Sequence, residues 1–278
     1  MRPDGMKMLS AELFQLRKRT STWVLMAIWG AMGLFFGYIL PYLIDDVGPR
    51  RDSDPLAPLL PDAFVSSTLG GFPFYGGAIA LMLGVLSIGS EFGWGTFKTL
   101  FTQRAGRGKV FAAKTGALAV MLIPFVLVEF AIGAGASAFI ASREDVAITW
   151  PPVMDIVAGV GASWLILATW AVFGMVLAVA TRGTSLAIGV GIIWALVIEG
   201  LLGSFATSIS WLAWTNDLML RSNAYSLIEP LGGVADTDGP GVFDGPYVDV
   251  TQALVTMTLT IAVGIGASYI LLRRRDVA

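Results

Sequence analysis

Six apolar runs constrain this chain more than any other feature: Thr22–Leu43, Gly70–Gly89, Phe111–Ile140, Val153–Thr181, Ser185–Phe205 and Thr251–Leu272. A helix crossing a hydrocarbon core of about 30 Å needs roughly 20 largely apolar residues. A backbone in lipid must satisfy its own polar groups, so runs of this length predict helices. The expected fold is an all-α integral membrane protein, one transmembrane domain over residues 1–278. Composition agrees. Charged residues make up 14% of the chain and mean hydropathy is +0.74, whereas a soluble domain carries about a quarter charged residues. The first run exceeds a signal-peptide core and is followed by "DDVGPRR" rather than a small-residue cleavage site, which predicts a retained anchor.

Six crossings place both termini on one side of the membrane. With the termini inside, 14 Lys/Arg lie inside and only Arg50, Arg51, Arg143 and Arg221 lie outside. The positive-inside rule counts these side chains near span ends and predicts cytoplasmic termini in the cell membrane. The acids invert the pattern, with Asp4, Glu12, Glu91 and Asp276 inside and fourteen outside. Trp23, Trp150, Trp211 and Trp214 fall at span ends, where indole rings favour the headgroup layer.

The chain has no cysteine and no histidine. Disulfides and thiolate chemistry are excluded, as are Ser-His and zinc-His intramembrane proteases.

Ahead of the first run, "MKMLSAELFQLRKRTSTW" places Met6, Leu9, Leu13 and Leu16 at helical spacing, with Lys7, Glu12, Arg17, Lys18 and Arg19 on the other side. This pattern predicts an interfacial helix over residues 6–21 with its basic side chains toward anionic headgroups.

Between the second and third runs, "SEFGWGTFKTLFTQRAGRGKVFAAK" ends in a fragment that resembles a phosphate-binding loop. A Walker A loop needs G-x-x-x-x-G-K-[ST] after a strand. Here Gln103 stands at the first glycine position, Val110 at the hydroxyl position, and no strand precedes. Nucleotide binding by that mechanism is excluded. What remains is a short helix pattern over residues 91–104. Gly93 and Gly95 permit a sharp turn, Thr96 is a helix cap, and Phe92, Trp94, Phe97 and Phe101 supply apolar bulk.

This stretch resembles the signature of ABC-2 type transporter permeases, through Glu91, Gly95, Thr96, Arg107 and Lys114. The start, with Glu12, Lys18 and Trp23 in order, is similar to that family's N-terminal helix. The resemblance implies a permease without an ATPase of its own. In that reading the helix 91–104 is a coupling helix that docks on a separate cytoplasmic ABC ATPase subunit, which binds ATP and Mg²⁺. Glu91, Phe92, Trp94, Gly95, Thr96, Phe97, Lys98, Arg107 and Lys114 would form the coupling region. A second copy or a sister permease would complete the assembly in the lipid bilayer, and neither nucleic acid nor a chain-bound cofactor or metal is implied.

Two acids, Glu129 and Glu199, fall within apolar runs. An acid at mid-membrane costs roughly 2.5–3.5 kcal/mol and usually faces a cavity or a partner. Either they line the transport path or share a proton, or each is a structural acid bonded to hydroxyls or to freed backbone amides. Residues 206–231 are apolar but interrupted, which predicts a re-entrant or outer helical pair, with Leu220, Ala224, Leu227 and Leu231 at helical spacing. Asp236 and Asp238 echo a calcium loop, but Pro240 and Tyr247 stand at two ligand positions, so a solvated loop is expected. Gly33 and Gly37 form a G-x-x-x-G motif in the first run, a mark of helix contact or dimerisation.

The expected function is export of a lipophilic or amphipathic substrate, driven by the partner's ATP hydrolysis. Two rivals predict otherwise: a proton-coupled secondary transporter using Glu129 and Glu199, and a membrane scaffold without transport.

Overall fold

The computed structural model describes residues 5–45, 56–93, 106–208, 213–233 and 248–274. These residues are all-helical, and six helices are long and apolar enough to cross a membrane: Thr20–Ile44, Pro61–Phe92, Gly108–Arg143, Val153–Thr181, Ser185–Leu202 and Val250–Arg273.

One expected boundary moves substantially. The second span begins at Pro61, not at Gly70. Gly70 and Gly71, which look like a break in the sequence, take helical dihedrals and carry the chain into a π-helical turn, Phe72–Gly76, that accommodates Pro73. Two more wide turns, Phe35–Ile39 and Trp194–Ile198, interrupt the first and fifth spans. Such turns leave backbone groups in altered register and recur at functional sites. Here one holds Tyr38, one holds Tyr75, and one runs directly into Glu199.

The second and fourth spans form the core pair. A methyl group on Gly84 would overlap the Ala171 carbonyl, and one on Gly174 would overlap the Leu81 carbonyl, so the two backbones touch through glycine on both sides. Helix pairs in lipid gain most from this close van der Waals approach. The first, fifth and sixth spans sit at the periphery; only 28%, 22% and 11% of their most apolar windows are buried.

The N-terminal helix, Gly5–Lys18, ends at Arg19, whose extended backbone makes an elbow before the first span. Two of the carbonyls left open at its end accept side-chain bonds. Thr22 Oγ1 donates to Leu16 O at 2.9 Å and Trp23 Nε1 to Arg17 O at 2.8 Å. Its apolar stripe does not await lipid: Leu9, Leu13 and Leu16 pack on Ala117 and Met121 of the third span, leaving Met6 exposed.

After the fifth span come two short helices, Ala213–Leu218 and Leu220–Ile228. Every residue of the second is buried, Arg221, Ser222, Asn223 and Ser226 included. The acidic segment 234–247 lies outside the described residues.

Candidate functional site

Glu12, Gln15 and Arg19 follow one another at helical intervals beside the leucine stripe, so the packing that seats Leu9, Leu13 and Leu16 also turns them inward. They meet Glu91, near the end of the second span, and Lys114, about two turns into the third helix. Lys114 Nζ lies 2.8 Å from Glu12 Oε2 and 3.1 Å from Glu91 Oε1. Glu91 Oε1 also takes Gln15 Nε2 at 3.2 Å and Arg19 Nη2 at 3.4 Å. Arg19 Nη1 donates to Leu86 O at 2.6 Å.

Glu91 and Lys114 are each only 2% exposed. Two carboxylates face one ammonium and one guanidinium, so the cluster balances its charge without bulk water. Burial lowers the Arg19 pKa from its ordinary value, and Glu91 and then Glu12 oppose that shift. A group this interlocked transmits displacement: the N-terminal helix, the second span and the third span cannot move apart without breaking a buried ion pair.

Of the other coupling-region residues, Phe92 is half-buried against the core and Arg107 opens the third helix. Trp94, Gly95, Thr96, Phe97 and Lys98 lie outside the described residues. Arg17 and Lys18 are exposed, with Lys18 Nζ 5.6 Å from the Phe14 ring centre. Glu12 and Arg19 are the corrections. They turn to Lys114 and Glu91 rather than joining a headgroup-facing charged surface, because their side of the helix is covered by the second and third spans. The signal was present in the spacing Glu12–Gln15–Arg19, but a helical wheel alone does not say which flank of the apolar stripe is covered.

The two intramembrane acids have separate surroundings. Glu199 Oε1 accepts Trp194 Nε1 and the Leu220 amide, both at 3.1 Å, and its Oε2 accepts the Arg221 amide at 2.9 Å. It thus caps the N-terminus of the buried helix Leu220–Ile228, where unpaired amides and the helix dipole favour an anion. This is the structural alternative open in the sequence: an acid that satisfies freed backbone amides. The Arg221 guanidinium stacks over Phe74 and Tyr225, 5.1 Å and 5.7 Å from their ring centres.

Glu129 is different. It presses against Gly33 of the first span, and its Oε2 has no hydrogen-bond partner among the described residues. The nearby Tyr38 hydroxyl is already paired with Thr68 Oγ1 at 3.3 Å. Gly33 of the G-x-x-x-G motif therefore serves a contact within the chain, while Gly37 has open space beside it. Among the described residues, no three or more His, Cys, Asp or Glu converge to hold a metal ion.

A family model described as "Protein of unknown function (DUF2705)" matches residues 24–278. The chain belongs to the DUF2705 family. No curated protein matches it. The matched region starts just after the elbow, so it takes in Glu91, Lys114, Glu129 and Glu199, while Glu12, Gln15 and Arg19 precede it.

Proposed function

We propose that this DUF2705 chain is the membrane subunit of an ATP-driven exporter, a multi-pass protein of the cell membrane with both termini in the cytoplasm. A separate cytoplasmic ABC ATPase supplies ATP and Mg²⁺ chemistry. A second permease copy or a sister permease completes the unit, and the cargo is lipophilic or amphipathic. The chain itself is not an enzyme.

The observation that carries this reading is the position of the buried ion cluster. Glu91 and Lys114 flank, on either side in sequence, the segment that resembles a coupling helix, and both are tied to Glu12 on the N-terminal helix or to Arg19 at its elbow. A push on that segment is therefore delivered to three elements together. Switching machines need such rigid linkage, because a small displacement at the docking point must move whole helices. Of the motif residues, Glu91 and Lys114 are buried, a placement that suits transmitting a push better than making the docking contact itself.

The test is gentle purification of the tagged full chain from its native membranes. A stoichiometric cytoplasmic partner bearing a Walker A loop is expected, and Thr96→Trp is expected to lose it. A chain that emerges alone, in vesicles that still transport on a proton gradient, sinks the proposal.

A further inference from the structure

A groove runs along the seam between the first and third spans. Its wider half, of about 740 Å³, is lined by Tyr38, Ile39, Gly135 and Phe139 and ends at Arg143; its narrower half, of about 420 Å³, begins at Trp23. The halves share Leu34 and Ile132. Gly33 and Glu129 are the buried residues adjoining that waist, one beside Leu34 in sequence and the other one helical turn before Ile132.

Glu129 is 3% exposed, and its Oε2 has no hydrogen-bond partner among the described residues. The Tyr38 hydroxyl is turned to Thr68 of the second span, against Gly133 and one turn beyond Glu129. Aromatic rings cluster between the first and second spans. Trp29 lies 4.9 Å from Phe72 and 5.4 Å from Tyr75, and Tyr75 lies 6.2 Å from Phe36. An ionisable side chain within a span marks a site whose partner must be named, and among the described residues none bonds the Glu129 Oε2.

We propose that the waist of this groove binds a lipophilic cation, with its charged centre at the Glu129 carboxylate and its apolar body in the wider half. Entry of the cation past Leu34 replaces the Glu129–Gly33 contact with an ion pair in low dielectric. The Tyr38 and Phe139 rings that line the wider half add the attraction that rings offer a desolvated cation. The inference names the substrate class of the proposed exporter and rests on that reading for its purpose, though not for binding itself.

The probe is radiolabelled tetraphenylphosphonium, a permanent lipophilic cation that neither donates nor accepts a proton. Equilibrium dialysis uses the purified full chain in phosphatidylcholine nanodiscs, with empty nanodiscs as background. One saturable site per chain is expected, and Glu129→Gln is expected to weaken it by about ten- to a hundredfold, the range for a lost charge-assisted contact. Gly135 lines the wider half and a Cβ there meets nothing, so Gly135→Phe puts a ring into the groove and is also expected to weaken binding. Gly161→Phe, at an open position on the fourth span, serves as the control and is expected to change nothing. Should Glu129→Gln fail to fold, Gly135→Phe decides. Absence of saturable binding, or equal binding by the wild type and the folded variants at Glu129 and Gly135, overturns the proposal. The assay contains no ATPase, so its failure leaves the partner reading standing, and loss of that partner leaves this site standing.

Discussion

Lys114 holds two acids from different helices, which makes it the residue whose loss is most costly. Lys114→Met leaves Glu12 and Glu91 buried with no ammonium between them. Removing one partner from a buried ion pair costs about 3–5 kcal/mol, so a clear fall in thermal unfolding temperature of the purified chain is expected. Adding Glu12→Gln to that variant leaves Glu91 paired with Arg19 and no charge stranded, and most of the loss is expected to return. If the single and double variants are equally destabilised, the cluster acts by packing and not by charge. The acidic residues in the motif and in the N-terminal segment were visible in the sequence. That Glu12 belongs with Glu91 was not, since the two meet across a lysine on a third helix.

Among the elements, the short buried helix Leu220–Ile228 depends on a side chain outside itself. Glu199 accepts from the amides of Leu220 and Arg221, so Glu199→Leu leaves both donors unpaired inside the protein. An unsatisfied buried donor costs about 1–3 kcal/mol, and hydrogen exchange of amides 220–228 is expected to accelerate by about tenfold or more. Unchanged exchange would place the anchor of this helix elsewhere. The core seam makes a separate prediction. Gly84→Ala drives a methyl into the Ala171 carbonyl, which is backbone and cannot rotate away, whereas Gly161→Ala meets nothing. The first variant is expected to lower the yield of folded protein in the membrane fraction and its unfolding temperature; the second is expected to match the wild type. Helix lengths were legible because hydrophobic runs report them directly. The Pro61 start of the second span was not, because helical packing overrides the local freedom of "GG" and the restriction at Pro73.

The absence of native cysteine gives the whole molecule a direct test of orientation. Ser10→Cys on the exposed side of the N-terminal helix is expected to resist a membrane-impermeant maleimide in intact cells and to react after permeabilisation. Ile148→Cys, in the exposed extended segment between the third and fourth spans, is expected to react in intact cells. The reverse pattern would invert the proposed cytoplasmic termini, and with them the proposed docking face.

By itself the sequence determined that this is a helical protein with six runs able to cross a membrane, because hydrophobic length and backbone satisfaction in lipid are local properties that the chain carries residue by residue. It also marked the polar residues out of place in such a chain. Only the tertiary structure decided what each of them does. Glu91 and Lys114 turned inward to Glu12 and Arg19, Glu199 became the cap of a distant helix, and Glu129 was left beside a groove with one oxygen unpaired. The physical reason is that a buried charge is defined by its partner, and these partners lie up to 102 positions away in sequence, where no local pattern records them.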